Sequence, residues 1–189
     1  QDGLMLDVGC GEGRHIFGVM QDYPDMRCIG LDMDKDSLNK AEEGYEYFES
    51  ISNAGVDFLK GSAYSLPFPN NSFDLIVCSE VLEHLHEYND AVREIHRVLK
   101  PGGKAILTTP NIMMSITRSP WHIREYTPEQ MGEILESSFD KYELKGVFGN
   151  EKVMDYYNKN KEAVRKITRF DILNMHNREI PIHEITNCG

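Results

Sequence analysis

The sequence has no CxxC pair, a single tryptophan, a deficit of basic charge, and no apolar run near the roughly 18 residues a membrane helix needs. Its cysteines (Cys10, Cys28, Cys78, Cys188) lack zinc-ligand spacing, and three of them sit in apolar or glycine-rich runs. Reduced, buried thiols in a cytoplasmic protein are therefore expected, and disulfides are not. No signal-peptide pattern opens the chain, so no membrane insertion is expected. Lys+Arg number 20 against 31 Asp+Glu, a net charge of −11. That balance argues against a protein built mainly to grip phosphate backbones, and nucleic acid is not the expected partner. The deficit is uneven: from Lys141 onward there are 9 basic and 7 acidic residues, and the residues before it hold 11 against 24. The chain opens on Gln1 with an apolar run from Leu4, which reads as a piece of a longer protein with an N-terminal element missing.

What is present is enough for a core. At 40% hydrophobic residues over 189 positions, one domain with an appendage is expected. Leu4–Val8, Arg27–Leu31, Val56–Leu59, Phe73–Cys78 and Lys104–Thr109 read as strands. Between them, Asp36–Ser50 and the run through Ala91, Val92, Ile95, Val98 and Leu99 carry helical spacing, the second halted by Pro101-Gly102-Gly103. Thr127-Pro128-Glu129-Gln130 is a capping-box helix start. Tyr142–Phe148 reads as a sixth strand and residues 150–180 as polar helix. The expected fold is α/β, a doubly wound, mostly parallel sheet with helices on both faces. Residues 1–149 are expected to form its core, and 150–189 a helical appendage that contributes to the ligand pocket.

The first strand ends on Gly9-Cys10-Gly11-Glu12-Gly13, a turn that lets backbone approach a ligand. Asp32 closes the second strand, where a carboxylate can accept ribose hydroxyls. A dinucleotide loop would want glycine at position 14, where this chain has Arg14. Asp7 and Glu12 would also face a pyrophosphate with like charge, whereas a sulfonium and an ammonium suit an acidic loop. NAD is therefore disfavoured relative to S-adenosylmethionine.

These residues carry a resemblance. LDVGCGEGRH, GLDMD, GSAYSLPFPNNSFDLIVCSEVLEHL and EIHRVLKPGGKAILTTPN occur in the order and spacing of the class I S-adenosylmethionine-dependent methyltransferases with a DxGCGxG loop, over about residues 4–140. The resemblance implies a Rossmann-like sheet of six or seven strands, in which Ile180–Ile185 would supply the seventh only poorly. It places Asp7, Gly9, Cys10 and Gly11 along the methionine part of the cofactor and Asp32 on its ribose. Met33 would pack on the adenine, Ser62 and Ala63 lie at its edge, and Ser79 stand beside the methyl donor. Ser62 departs from the aspartate usual there, a weaker acceptor for the adenine amino group.

Glu80-x-x-Glu83-His84 follows the fourth strand. On a helix those three would share a face, with His84 as a general base and the carboxylates beside it. Together with His122 they form a candidate Mg or Mn site, a pattern similar to the small-RNA 2′-O-methyltransferases; the alternative is an acid and a histidine capping a short helix without metal. Arg118, Trp121, His122, Arg124 and Tyr126 are the candidate acceptor residues. The expected reaction is methyl transfer to a small or carrier-linked acceptor, a hydroxyl of a sugar or lipid-linked glycan. A metal-dependent RNA 2′-O-methyltransferase and a non-catalytic cofactor-binding regulatory module are the alternatives.

Overall fold

The computed structural model describes residues 3–48, 55–115 and 119–171, with side chains up to residue 163. In chain order the elements are β1 (Leu4–Val8), α1 (Arg14–Asp22), β2 (Arg27–Asp32), α2 (Lys35–Phe48), β3 (Val56–Lys60) and β4 (Phe73–Ser79). A one-turn 3-10 helix (Leu82–His84) precedes α3 (Tyr88–Val98), β5 (Leu99–Thr108), α4 (Pro128–Glu136) and α5 (Glu151–Asp171). Every described strand pair is parallel, in the order β3-β2-β1-β4-β5. The order reverses between β1 and β4, so their carboxyl ends open a crevice at the point where parallel sheets bind ligands.

Alternation along the central strands sorts side chains to two faces. Leu6 and Val8 of β1 join Ile76 and Cys78 of β4 under α3 and α4, where Ala91, Val92, Ile95 and Val98 are fully buried. Met5, Cys28 and Val77 point the other way, onto Ile16 and Met20 of α1 and Leu38 of α2. Each large apolar side chain sealed in this way contributes about 1.5–3 kcal/mol.

Three expectations are corrected. The described sheet has five strands, because Tyr142–Phe148 forms no ladder: Leu144, Val147 and Phe148 stand exposed along irregular chain. The seventh-strand candidate, 180–185, lies outside the described residues. Pro101-Gly102-Gly103 does not separate α3 from the fifth strand but lies inside it. Leu99 already pairs with Phe73, and the register slips before Leu75 meets Lys104, absorbing the Pro-Gly-Gly segment with Gly102 at φ 80°. Glu80 is not on a helix with Glu83 and His84, since its φ of 56° turns the chain before the 3-10 helix begins.

The chain separates into two compact units. The first comprises Gln1–Ile112 with Trp121–Tyr142, and the second Met113–Pro120 with Glu143–Gly189. In the second, Asn150 Oδ1 accepts from Val153 N at the start of α5, and Tyr157 Oη donates to Met114 O at 2.6 Å. No helix among the described residues is long and apolar enough to cross a membrane.

Candidate functional site

The glycine turn is built by the end of β2. Gly9 N and Cys10 N both donate to Leu31 O, at 2.7 and 3.1 Å, and Gly9, Gly11 and Gly13 all take positive φ. Gly9 has a second constraint, because a Cβ there would lie 2.4 Å from Val81 Cγ2. The loop after β4 is thus pressed directly against the turn, a contact that needs a residue without a side chain.

Two carboxylates face this turn. Asp32 accepts from Gly11 N through Oδ2 and from Asp34 N through Oδ1, both at 2.8 Å, which fixes its orientation at the strand end. Asp7 is 2% exposed, and its Oδ2 has no hydrogen-bond partner among the described residues. Burial, and secondarily the neighbouring Asp32 charge, push its pKa up to about 7. A buried acceptor left without a donor costs about 1–3 kcal/mol, so a cationic or donor group placed there would be favoured. Cys10 lies beside it as a thiol, raised to about 12 by burial and by the Asp7 and Asp32 charges. Glu12 sits outward and pairs with Lys40 at 2.7 Å.

The other expected cofactor residues are distributed around that pair. Met33 is 75% exposed just beyond Asp32, a surface on which a planar base can lie. Ser62 Oγ accepts from Tyr64 N at 3.2 Å and caps a small turn, with Ala63 packed against the core beside it. Ser79 Oγ is 2.8 Å from Thr108 Oγ1 at the carboxyl ends of β4 and β5. The segment bearing Ser62 is anchored through Arg97, which grips Glu94 with two nitrogens and donates to the Leu66 and Phe68 carbonyls.

Beyond Val81 the 3-10 turn brings a second set together. One donor atom from each of Glu83, His84 and His122 lies within 4.8 Å of the others. Two long-range bonds bring this about: Ile123 N and Arg124 N donate to Glu83 O, at 2.8 and 3.3 Å. The histidine rings meet edge to face, 5.0 Å between centroids. His84 Nδ1 donates to Trp121 O and His122 Nδ1 donates to Glu125 Oε1, both at 2.9 Å. Glu83 is fully buried; Oε2 accepts from Thr109 Oγ1, while Oε1 is unsatisfied among the described residues. Burial raises the Glu83 pKa, only partly offset by hydrogen bonding.

Glu80 does not join this group; its carboxylate accepts from Thr108 Oγ1 at 3.0 Å. Among the candidate acceptor residues, Trp121 is 79% exposed beside His84, and Arg124 lies over the Tyr88 ring at 4.7 Å. Tyr126 is buried and donates to Leu82 O, while Arg118 lies outside the described residues. Val81, Thr108, Thr109 and Glu125 were not among the candidate site residues. Each reaches the site through a contact made only in the fold: Val81 on Gly9, Thr108 on Glu80, Thr109 on Glu83 and Glu125 on His122.

Residues 6–107 match the family described as methyltransferase domain. A probable S-adenosylmethionine-dependent methyltransferase of Mycolicibacterium smegmatis is 35% identical over 150 residues, 76% of this chain and 54% of that protein. The demethylmenaquinone methyltransferase of Lactococcus lactis is 33% identical over 103 residues, covering 54% of this chain and 40% of its own length. Among solved structures, the YcgJ protein of Bacillus subtilis superposes with a TM-score of 0.63 at 26% identity, covering 93% of this chain and 79% of that one. The chain thus spans about half the length of the curated relatives it matches.

Proposed function

The chain belongs to the methyltransferase-domain family, and from that premise we propose that it binds S-adenosylmethionine and transfers its methyl group to a small or carrier-linked acceptor. The observation that carries this reading is the buried, unsatisfied Asp7 oxygen behind a glycine turn whose approach is set by Val81. The residues fit the cofactor: Asp7 and the turn would take its cationic methionine end, Asp32 its ribose, and Met33 and Ser62 its base. A pyrophosphate at the turn would meet the Asp7 carboxylate as like charge, whereas Glu12, expected to add to that repulsion, is turned outward and paired with Lys40.

Bound there, the cofactor supplies a methyl carbon already activated by positive sulfur. What remains for the protein is to align an acceptor, exclude water and dispose of the acceptor's proton. His84 stands one turn beyond Val81 with the His122 ring packed edge to face against it, and Trp121 offers an exposed aromatic face beside them. A flat, weakly polar ring face suits the C–H surface of a sugar, and the acidic composition before Lys141 disfavours RNA. The acceptor we favour is therefore a hydroxyl on a sugar or lipid-linked glycan.

The test has two stages. Calorimetry should show S-adenosylhomocysteine binding, weakened at least about tenfold by Asp32→Ala; heat with NAD and none with S-adenosylhomocysteine overturns the cofactor reading. Incubation with methyl-labelled cofactor and panels of glycans, quinols and RNA ends should then place label on a glycan oxygen. Label on a quinol carbon or an RNA ribose would replace the acceptor while leaving methyl transfer intact.

A further inference from the structure

We propose that Glu83, His84 and His122 form a binding site for one first-row divalent cation, with Glu125 and the Trp121 carbonyl as its outer supports. The argument starts from the tautomers. A carbonyl oxygen only accepts, so His84 carries its proton on Nδ1, where it meets Trp121 O; His122 likewise presents Nδ1–H to the Glu125 carboxylate. Both rings therefore have their Nε2 as the basic nitrogen. Metal-binding histidines are arranged in this way, the far N–H held by a carboxylate or a backbone carbonyl so that the ligating nitrogen is oriented and made more basic.

The third member supplies an independent observation. Glu83 is wholly buried, yet one of its carboxylate oxygens meets no donor among the described residues. A cation would satisfy that oxygen and neutralise the buried charge. The Glu83 carbonyl, meanwhile, is the anchor that draws the His122 loop across the 3-10 turn. One residue thus provides both a donor and the backbone tie that brings the third donor into place.

Two imidazoles and one carboxylate make a mixed nitrogen–oxygen set, which favours Mn²⁺, Fe²⁺, Co²⁺ or Zn²⁺ over Mg²⁺. The cluster is closed at Glu83 and exposed at His84, so positions on the ion remain open outward, as at sites that work on a substrate. Val81, which presses on Gly9, lies two residues before Glu83, so the cation would lie close beside the methyl-donor turn. Its contribution there would be to ease loss of the proton from a nearby acceptor hydroxyl, the O–H pair staying on oxygen and the proton passing to solvent. That role rests on the methyl-transfer reading; the binding site itself does not.

The experiment is a Mn²⁺ titration of the intact chain followed by electron paramagnetic resonance, with S-adenosylhomocysteine calorimetry run in parallel. The wild type should take up about one Mn²⁺ and show imidazole nitrogen coupling, with Mg²⁺ a poor competitor. His122→Ala and Glu83→Gln should each weaken uptake at least about tenfold, and Glu125→Gln by about 10–100-fold. Should the buried Glu83 variant fail to fold, the exposed His84→Ala serves in its place. No uptake at millimolar Mn²⁺ by protein that binds S-adenosylhomocysteine overturns the proposal, as does uptake that survives His122→Ala and His84→Ala. Mn²⁺ uptake without S-adenosylhomocysteine binding would instead leave the cation site standing and remove the methyl-transfer reading.

Discussion

Asp7 shows how burial tunes a single side chain for its partner. Its pKa near 7 is more than three units above the ordinary 3.8, chiefly from desolvation, with the Asp32 charge adding to it. Because the folded value is raised, the folded state holds the proton more tightly than the unfolded chain does. The cost of ionising Asp7 therefore appears between pH 3.8 and about 7 and is fully present above. A cationic ligand reverses the balance by favouring the carboxylate. S-adenosylmethionine affinity should thus rise about twentyfold between pH 5.5 and 7.5, measured by calorimetry, and Asp7→Asn should flatten that dependence. Glu80 is a second instance of a residue acting through its own geometry. At φ 56° it holds a conformation uncommon for a side-chain-bearing residue, and its carboxylate meets Thr108 and stays outside the Glu83–His84–His122 cluster. Nothing in the spacing E-x-x-E-H announces that conformation, so a shared helical face was the natural expectation.

At the scale of elements, the segments that sequence describes well are those whose stability is local. α4 begins as its motif says, with Thr127 Oγ1 accepting from Gln130 N and the Gln130 side chain accepting from Thr127 N. α3 shows the periodicity of a buried helix and is one. The loop from Gly61 to Ser72 is different, because it borrows its order from α3. Arg97 donates to Asn70 Oδ1 and two loop carbonyls while gripping Glu94, and Glu94 in turn accepts from Leu66 N. Arg97→Ala should therefore lower stability by about 1–3 kcal/mol in urea unfolding, because those carbonyls lose their donor. It should also weaken S-adenosylhomocysteine binding, since the same loop carries Ser62. Arg97→Lys should recover only part of both, as an ammonium cannot reproduce the two-nitrogen grip. The Tyr142–Phe148 segment failed in the opposite sense: its alternation suits a strand, but a strand needs a neighbour to pair with, and alternation alone does not supply one.

At the scale of the molecule, the sheet divides two buried clusters, one on each face of its central strands, and the thiols report on them. Cys10, Cys28 and Cys78 are buried, with pKa values pushed to about 12, 11 and 12, so they are protonated and unreactive in the native state. Their modification should follow global opening. In a Cys188→Ser background, labelling by an aromatic disulfide at pH 8 should be at least about a thousandfold slower than in denaturant. Rapid labelling of Cys78 would mean that the core opens far more readily than its packing implies.

The alternation of strands and helices, the glycine turn and the acids at the ends of β1 and β2 were all determined by the sequence itself. Each depends on periodicity or on turn chemistry spanning a few residues, and such signals survive in one dimension. Tertiary structure decided the rest: that one Asp7 oxygen is buried without a donor among the described residues, that Glu80 leaves and His122 joins Glu83 and His84, and that Glu125 orients that histidine. The ties that draw His122 in, between the Glu83 carbonyl and the Ile123 and Arg124 amides and between the His84 ring and the Trp121 carbonyl, cross from the turn after β4 to the loop before α4. Backbone groups of that kind are present in every residue alike, so no pattern of side chains records which of them will meet.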